Sequence, residues 1–208
     1  MNRELIEKTE VFLKETFGDS EHADYRIRHS YRVAHIAEEI AEKEGFDVTN
    51  AVIAALLHDI GYSQGFESVE DWKEHGRKGA KIVRPFLESL GLPEKDVNDI
   101  CFAIAVHVDD QSDFEGEFTP FTRTLSDADN IDHMGPLRIF ENLVFTGYTD
   151  GDHEAQKAHI LGVLSKLKGY YEEPLATVAA TKLWRERIAF YMDYYERLLR
   201  QILHEEEI

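Results

Sequence analysis

Apolar positions recur every three or four residues along almost the whole chain. This spacing predicts helices over about residues 2–17, 24–44, 49–60, 73–90, 94–108, 119–134, 136–146, 153–168 and 176–203. No stretch alternates apolar and polar side chains convincingly, so no strand is expected and the fold class is all-α. The segment 51–57, AVIAALL, has no polar side chain on any face, and a helix there must be buried all round. His58-Asp59 follows it directly, just before Gly61. Thr49 reads as the start signal of that helix and Pro93-Glu94 as that of another, while Gly18, Gly45, Gly91 and Gly169 read as stop signals. Residues 62–71 and 109–119 are polar loops, and neither has the composition of a domain linker. With no internal repeat or low-complexity tract, residues 1–208 read as one helical domain, the last two helices packed on the same core.

Composition narrows the function classes. The 208 residues are 43% hydrophobic, enough for a substantial core without staples. A single cysteine, Cys101, excludes an intrachain disulfide framework and a multi-cysteine zinc site, and its place in the run CFAIAV reads as core. The amphipathic start of the chain is unlike a signal peptide, and no apolar run is long enough to span a bilayer, so a cytoplasmic protein without a membrane partner is expected. The formal net charge of −18 disfavours a nucleic acid polymer, whose binding depends on clustered Lys and Arg. Small phosphorylated molecules stay open, provided a bound cation overrides the field locally. The acidic runs EEIAEKEG and LHEEEI read as solvated helix faces.

The His58-Asp59 pair places two costly polar groups at the end of a buried helix, and a metal ion is one of the few partners that satisfies both. A core histidine bonded to its neighbouring acid is the alternative for the pair alone. Other residues join it. His29 shares a helix face with Tyr25, Val33, Ile36 and Ile40; His107 ends the stripe Ile100, Ala103, Ile104; His75 shares a face with Gly79, Ile82 and Phe86; Asp129 lies with Leu125 and Asp132. Several inward-facing histidines and carboxylates on separate helices are hard to satisfy by isolated hydrogen bonds. Imidazole and carboxylate donors suit Mn, Fe, Co, Ni or Zn, and the chemistry suggested is metal-assisted attack by water.

The order His29, His58-Asp59, Asp129 resembles the H…HD…D signature of the HD-domain metal-dependent phosphohydrolase superfamily. It is carried by RHSYRVAHIAEEIA, AALLHDIGYS, HGRKGAKIVRPFLESLG, ICFAIAVH and LSDADNIDHMG, over about residues 24–135. The segment HILGVLSKLKGYYEEPLATVAATKLWRERIAFYMDYYERLLRQI resembles a bacterial branch that includes nucleotide pyrophosphohydrolases. The resemblance implies an HD-type helical bundle in which His29, His58, Asp59 and Asp129 bind one divalent metal (Mn, Fe, Co, Ni, Zn or Mg). Asp59 would act in catalysis through water on that metal. Asp127 rivals Asp129, which is preferred because the family's last ligand usually follows a small residue. His75 and His107 match positions that hold a second ion in two-metal relatives and meet substrate phosphate in one-metal relatives. Val108 stands where some two-metal relatives have a second histidine, and Asn130 where the branch often has arginine.

Arg32, one turn beyond His29, and Lys78, one turn beyond His75, are the leading candidates for binding substrate phosphate, ahead of Arg123 and Arg138. Glu67, Glu70, Asp71 and Glu74 are open as general bases. His22, His35, His133, His153, His159 and His204 read as surface or structural, and Trp72, Trp184, Tyr191, Tyr194 and Tyr195 as packing at the core or its edge. The expected activity is hydrolysis of a small phosphorylated substrate, foremost a nucleotide. The alternatives are a di-iron oxygenase on the same scaffold, which needs His75 and His107 to join Asp59 around two ions, and a non-catalytic HD-type signalling module.

Overall fold

The computed structural model describes residues 1–65 and 68–204. Among them are nine α-helices, two 3-10 turns and no strand, as the periodicity predicts: α1 (Arg3–Phe17), α2 (Ala23–Glu44), α3 (Val48–Leu57), α4 (Val69–Ser89), α5 (Glu94–Val106), α6 (Pro120–Asp132), α7 (Pro136–Phe145), α8 (His153–Glu172) and α9 (Val178–Leu203). The 3-10 turns are Ile60–Gln64 and Tyr148–Asp150. No described helix is long and apolar enough to cross a membrane. The chain forms two compact units, Met1–Asn130 and Ile131–Ile208.

In the first unit α3 is the central element. Every side chain from Ala51 to Leu57 is buried, as its unbroken apolar run requires, and the helix packs against α1, α2 and α5. Its start signal is Asp47, not Thr49: the Asp47 carboxylate accepts the Asn50 N–H at 2.9 Å, while Thr49 Oγ1 accepts the Asn2 N–H at 2.8 Å. The α-helix also stops earlier than its periodicity predicts. It ends at Leu57, Asp59 takes φ −90° and ψ 4°, and the chain tightens into the first 3-10 turn. That turn lies against α4 with almost no space between backbones: a Cβ on Gly61 would sit 2.1 Å from the His75 carbonyl oxygen. Residues 62–64 and 68–71 are accordingly less irregular than expected. The 3-10 turn runs to Gln64, and Ser68 caps α4 by accepting the Asp71 N–H at 3.1 Å.

The second unit centres on α8 and α9. His153, at the start of α8, hydrogen-bonds the Ile202 carbonyl near the end of α9, and Trp184 Nε1 donates to the Tyr170 carbonyl, so the pair is antiparallel. Ile160, Leu164, Leu167, Trp184, Ile188, Tyr191 and Tyr195 are buried. Gly169 does not end α8, which runs three residues further. Trp72, in the first unit, is exposed rather than packed.

Candidate metal centre

The break at the end of α3 has a consequence for the two polar residues it carries. His58 is the last residue with helical backbone and Asp59 the first without, so their side chains leave one buried point in different directions. His29 reaches the same place from the middle of α2, His75 from the second turn of α4, His107 from the end of α5 and Asp129 from α6. His58 Nε2 lies 3.3 Å from His29 Nε2 and 3.5 Å from Asp59 Oδ1. Asp129 Oδ1 is 3.0 Å from His29 Nε2 and 3.9 Å from His58 Nε2. On the other side His75 Nε2 is 3.0 Å from His107 Nε2 and 3.1 Å from Asp59 Oδ1.

The far sides of three rings are tied to backbone. His58 Nδ1 bonds the Ala55 carbonyl at 2.7 Å, His75 Nδ1 that of Trp72 at 2.5 Å, and His107 Nδ1 that of Ile104 at 2.7 Å. A carbonyl only accepts, so each of these Nδ1 atoms carries a proton, and where the ring is neutral the Nε2 lone pair faces the cluster. Burial pushes the proton affinity of His58 below its ordinary value, outweighing Asp59 and Asp129. Burial, then His58 and His75, takes His107 down to about 4. Both rings are therefore neutral near pH 7. Burial by itself would raise the Asp59 carboxyl, but His58, His75 and Arg26 together hold it well below the usual carboxylate range. Neutral nitrogens and ionised oxygens thus converge with their electron pairs toward one another, a donor set that a cation satisfies. Among the described residues of the first unit, three overlapping groupings have ligand atoms all within 4.8 Å of one another: His29–His58–Asp59, His58–His107–Asp129 and Asp59–His75–His107. Asp59 is in two of them, and Asp127, though buried, is in none.

A family model described as HD domain matches residues 26–134, just over half of the chain. The chain belongs to the HD-domain family. Over 115 residues it is 32% identical to the Bacillus subtilis (strain 168) protein named "Putative phosphohydrolase YueE", an alignment covering 51% of this chain and 65% of that one. It therefore spans just under two thirds of that relative's length. Among solved structures, one described as a predicted HD superfamily hydrolase from an uncultured Thermotogales bacterium matches with a TM-score of 0.67 at 24% identity, covering 96% of this chain and 91% of that one. Bacillus subtilis YpgQ matches at 0.64 and 21% identity over 96% of both chains, and its complex with ADP at 0.64 and 20% over 95% of both. At these identities the likeness is one of fold.

The remaining residues expected in the HD-domain site are placed less uniformly. Arg32 is half-buried on α2, one turn from His29. Lys78 directs its ammonium to Asp71 Oδ1 at 2.6 Å and Glu74 Oε2 at 3.5 Å, which engages two of the candidate general bases as well. Glu67 lies outside the described residues. Arg123 pairs with Asp110, and Arg138 with Glu141. Two residues that the sequence reading did not single out are in the site. Arg26 Nη1 donates to Asp59 Oδ2 at 2.9 Å, and Tyr62 stacks on His75 with ring centroids 4.2 Å apart. Burial, then the charge of Asp59, pushes the Tyr62 phenol up to about 12. The signal for Arg26 was available: it precedes His29 by three residues on the same face of α2, as Arg32 follows it by three.

Proposed function

We propose that this chain is a metal-dependent phosphohydrolase acting on a small phosphorylated molecule, with a nucleotide as the favoured substrate. The observation that carries the reading is the convergence of anchored, neutral imidazoles on the ionised Asp59 carboxylate. His29, His58, Asp59 and Asp129 would hold a divalent cation. When bound, such an ion acts as a Lewis acid, lowering the pKa of water and neutralising phosphoryl charge. The backbone-anchored rings hold their lone pairs in place without reorganisation, and His75 and His107 stand beside them, each able to donate to a phosphate oxygen only when Nε2 carries a proton. A cation is also what lets an anionic substrate approach a chain of net charge −18. The relative named as a phosphohydrolase and the ADP complex of YpgQ support the substrate class.

The test is phosphate and pyrophosphate release from a nucleotide panel with Mn, Co, Ni and Mg, for the native chain and Asp59→Ala. The native chain should turn over with at least one of these ions. Asp59→Ala should lose bound metal and activity together while its far-UV circular dichroism stays close to native. Full activity in a metal-free Asp59→Ala preparation overturns the mechanism.

One observation favours a second reading with two ions sharing Asp59. His75 Nε2 and His107 Nε2 face each other at 3.0 Å with both Nδ1 atoms already bonded to carbonyls. Metal analysis distinguishes the two: one tightly held ion per chain leaves His75 and His107 to the substrate, whereas two ions give the pair a ligand role and admit oxygen chemistry.

A further inference from the structure

Tyr62 lies in the middle of a three-layer stack beside the metal centre. On one face of its ring the Arg26 guanidinium carbon sits 3.7 Å from the centroid. On the other face the His75 imidazole lies 4.2 Å away and 26° from parallel. The outer layers are the two groups that approach Asp59 from opposite sides: Arg26 Nη1 is 2.9 Å from Oδ2, and His75 Nε2 is 3.1 Å from Oδ1. The Tyr62 backbone N–H also donates to the Asp59 carbonyl at 3.0 Å. One aromatic ring therefore separates, and supports, the partners of both oxygens of a single carboxylate.

We propose that Tyr62 is a positioning residue for the metal centre, a spacer that fixes the Asp59 carboxylate and the His75 ring through its two faces; this rests on the metal reading above. The Arg26 side chain is long and 29% exposed, so its bond to Asp59 does not by itself hold it against solvent. The flat face of Tyr62 supplies a cation–π surface on which the guanidinium rests. That contact keeps Oδ2 occupied and turns Oδ1 toward the imidazoles. His75 is anchored at Nδ1 alone, about which the ring can pivot, and stacking on Tyr62 removes that freedom. Both stacking contacts use the ring faces, and the role is assigned to the aromatic ring.

The experiment compares Tyr62→Phe and Tyr62→Leu with the native full-length chain, each stripped with chelator and titrated with cobalt(II). Affinity is read by calorimetry, ligand geometry by the visible ligand-field spectrum, and folding by circular dichroism. Tyr62→Phe should bind within twofold of native and reproduce its spectrum. Tyr62→Leu should bind at least about tenfold more weakly, the loss typical of removing a group that orients a metal ligand, with a shifted spectrum. If Tyr62→Leu does not fold, Arg26→Met removes the opposite layer and should show the same loss. The proposal is overturned by a folded Tyr62→Leu or Arg26→Met chain with native affinity and spectrum, or by Tyr62→Phe losing as much as Tyr62→Leu. A native chain that binds no cobalt overturns the metal reading itself, and this role with it. Equal binding by native and leucine chains removes only the role of Tyr62.

Discussion

The two oxygens of Asp59 have different partners: Oδ2 accepts from Arg26, and Oδ1 lies within 4 Å of the Nε2 atoms of His58, His75 and His107. Asp129 and Asp127, two residues apart, divide in the same way. Asp129 Oδ1 lies 3.0 Å from His29 Nε2 and Asp127 is in none of the ligand groupings, since a step of two along a helix turns the side chain by about 200°. Asp129→Asn should therefore lower the metal retained per chain after dialysis, measured by elemental analysis, while Asp127→Asn should retain it. The reverse pattern would move the last ligand to Asp127. Cys101 is buried, and burial pushes its thiol up to about 11. The native chain should resist alkylation by iodoacetamide at pH 8, with reaction following only on unfolding; mass spectrometry over time reads this directly.

The helices bring these residues within reach by approaching more closely than ordinary side chains allow. α4 meets the 3-10 turn at Gly61 and α5 at Gly76, where a Cβ would lie 2.7 Å from the Ile104 carbonyl oxygen and 3.1 Å from His107 Nδ1. Gly76→Ala should cost about 1–3 kcal/mol in urea unfolding, the usual range for overpacking. Because the Ile104 carbonyl is the anchor of the His107 ring, the same change should weaken cation binding, an effect that a purely structural strain elsewhere would not produce. Helix content and most helix limits were legible from the spacing of apolar residues. The early end of α3 was not, since nothing in AVIAALLHDIG distinguishes a continuing helix from one stopped by the contact between Gly61 and α4.

Taken as a whole, the chain carries an excess of acid, and its first unit gathers carboxylates and lone pairs in one buried place. A cation that binds only the folded state stabilises it by about 2.7 kcal/mol at a hundredfold excess over its Kd. Chelation should thus lower the unfolding midpoint in a thermal scan, and re-addition of Mn or Co should restore it. An unchanged midpoint with metal-loaded and stripped protein would argue against a cation in this cluster.

The sequence by itself determined the all-α class, the wholly buried α3, the H…HD…D order and the inward faces of His29, His75, His107 and Asp129. All of these are local properties, set by periodicity within one helix or by adjacency along the chain. Tertiary structure alone decided that residues from four helices converge on Asp59, that Lys78 turns to acids of its own helix, and that Tyr62 stacks between Arg26 and His75. Periodicity states which face of a helix is inward. It does not state which inward faces meet, because that depends on how closely the backbones can approach.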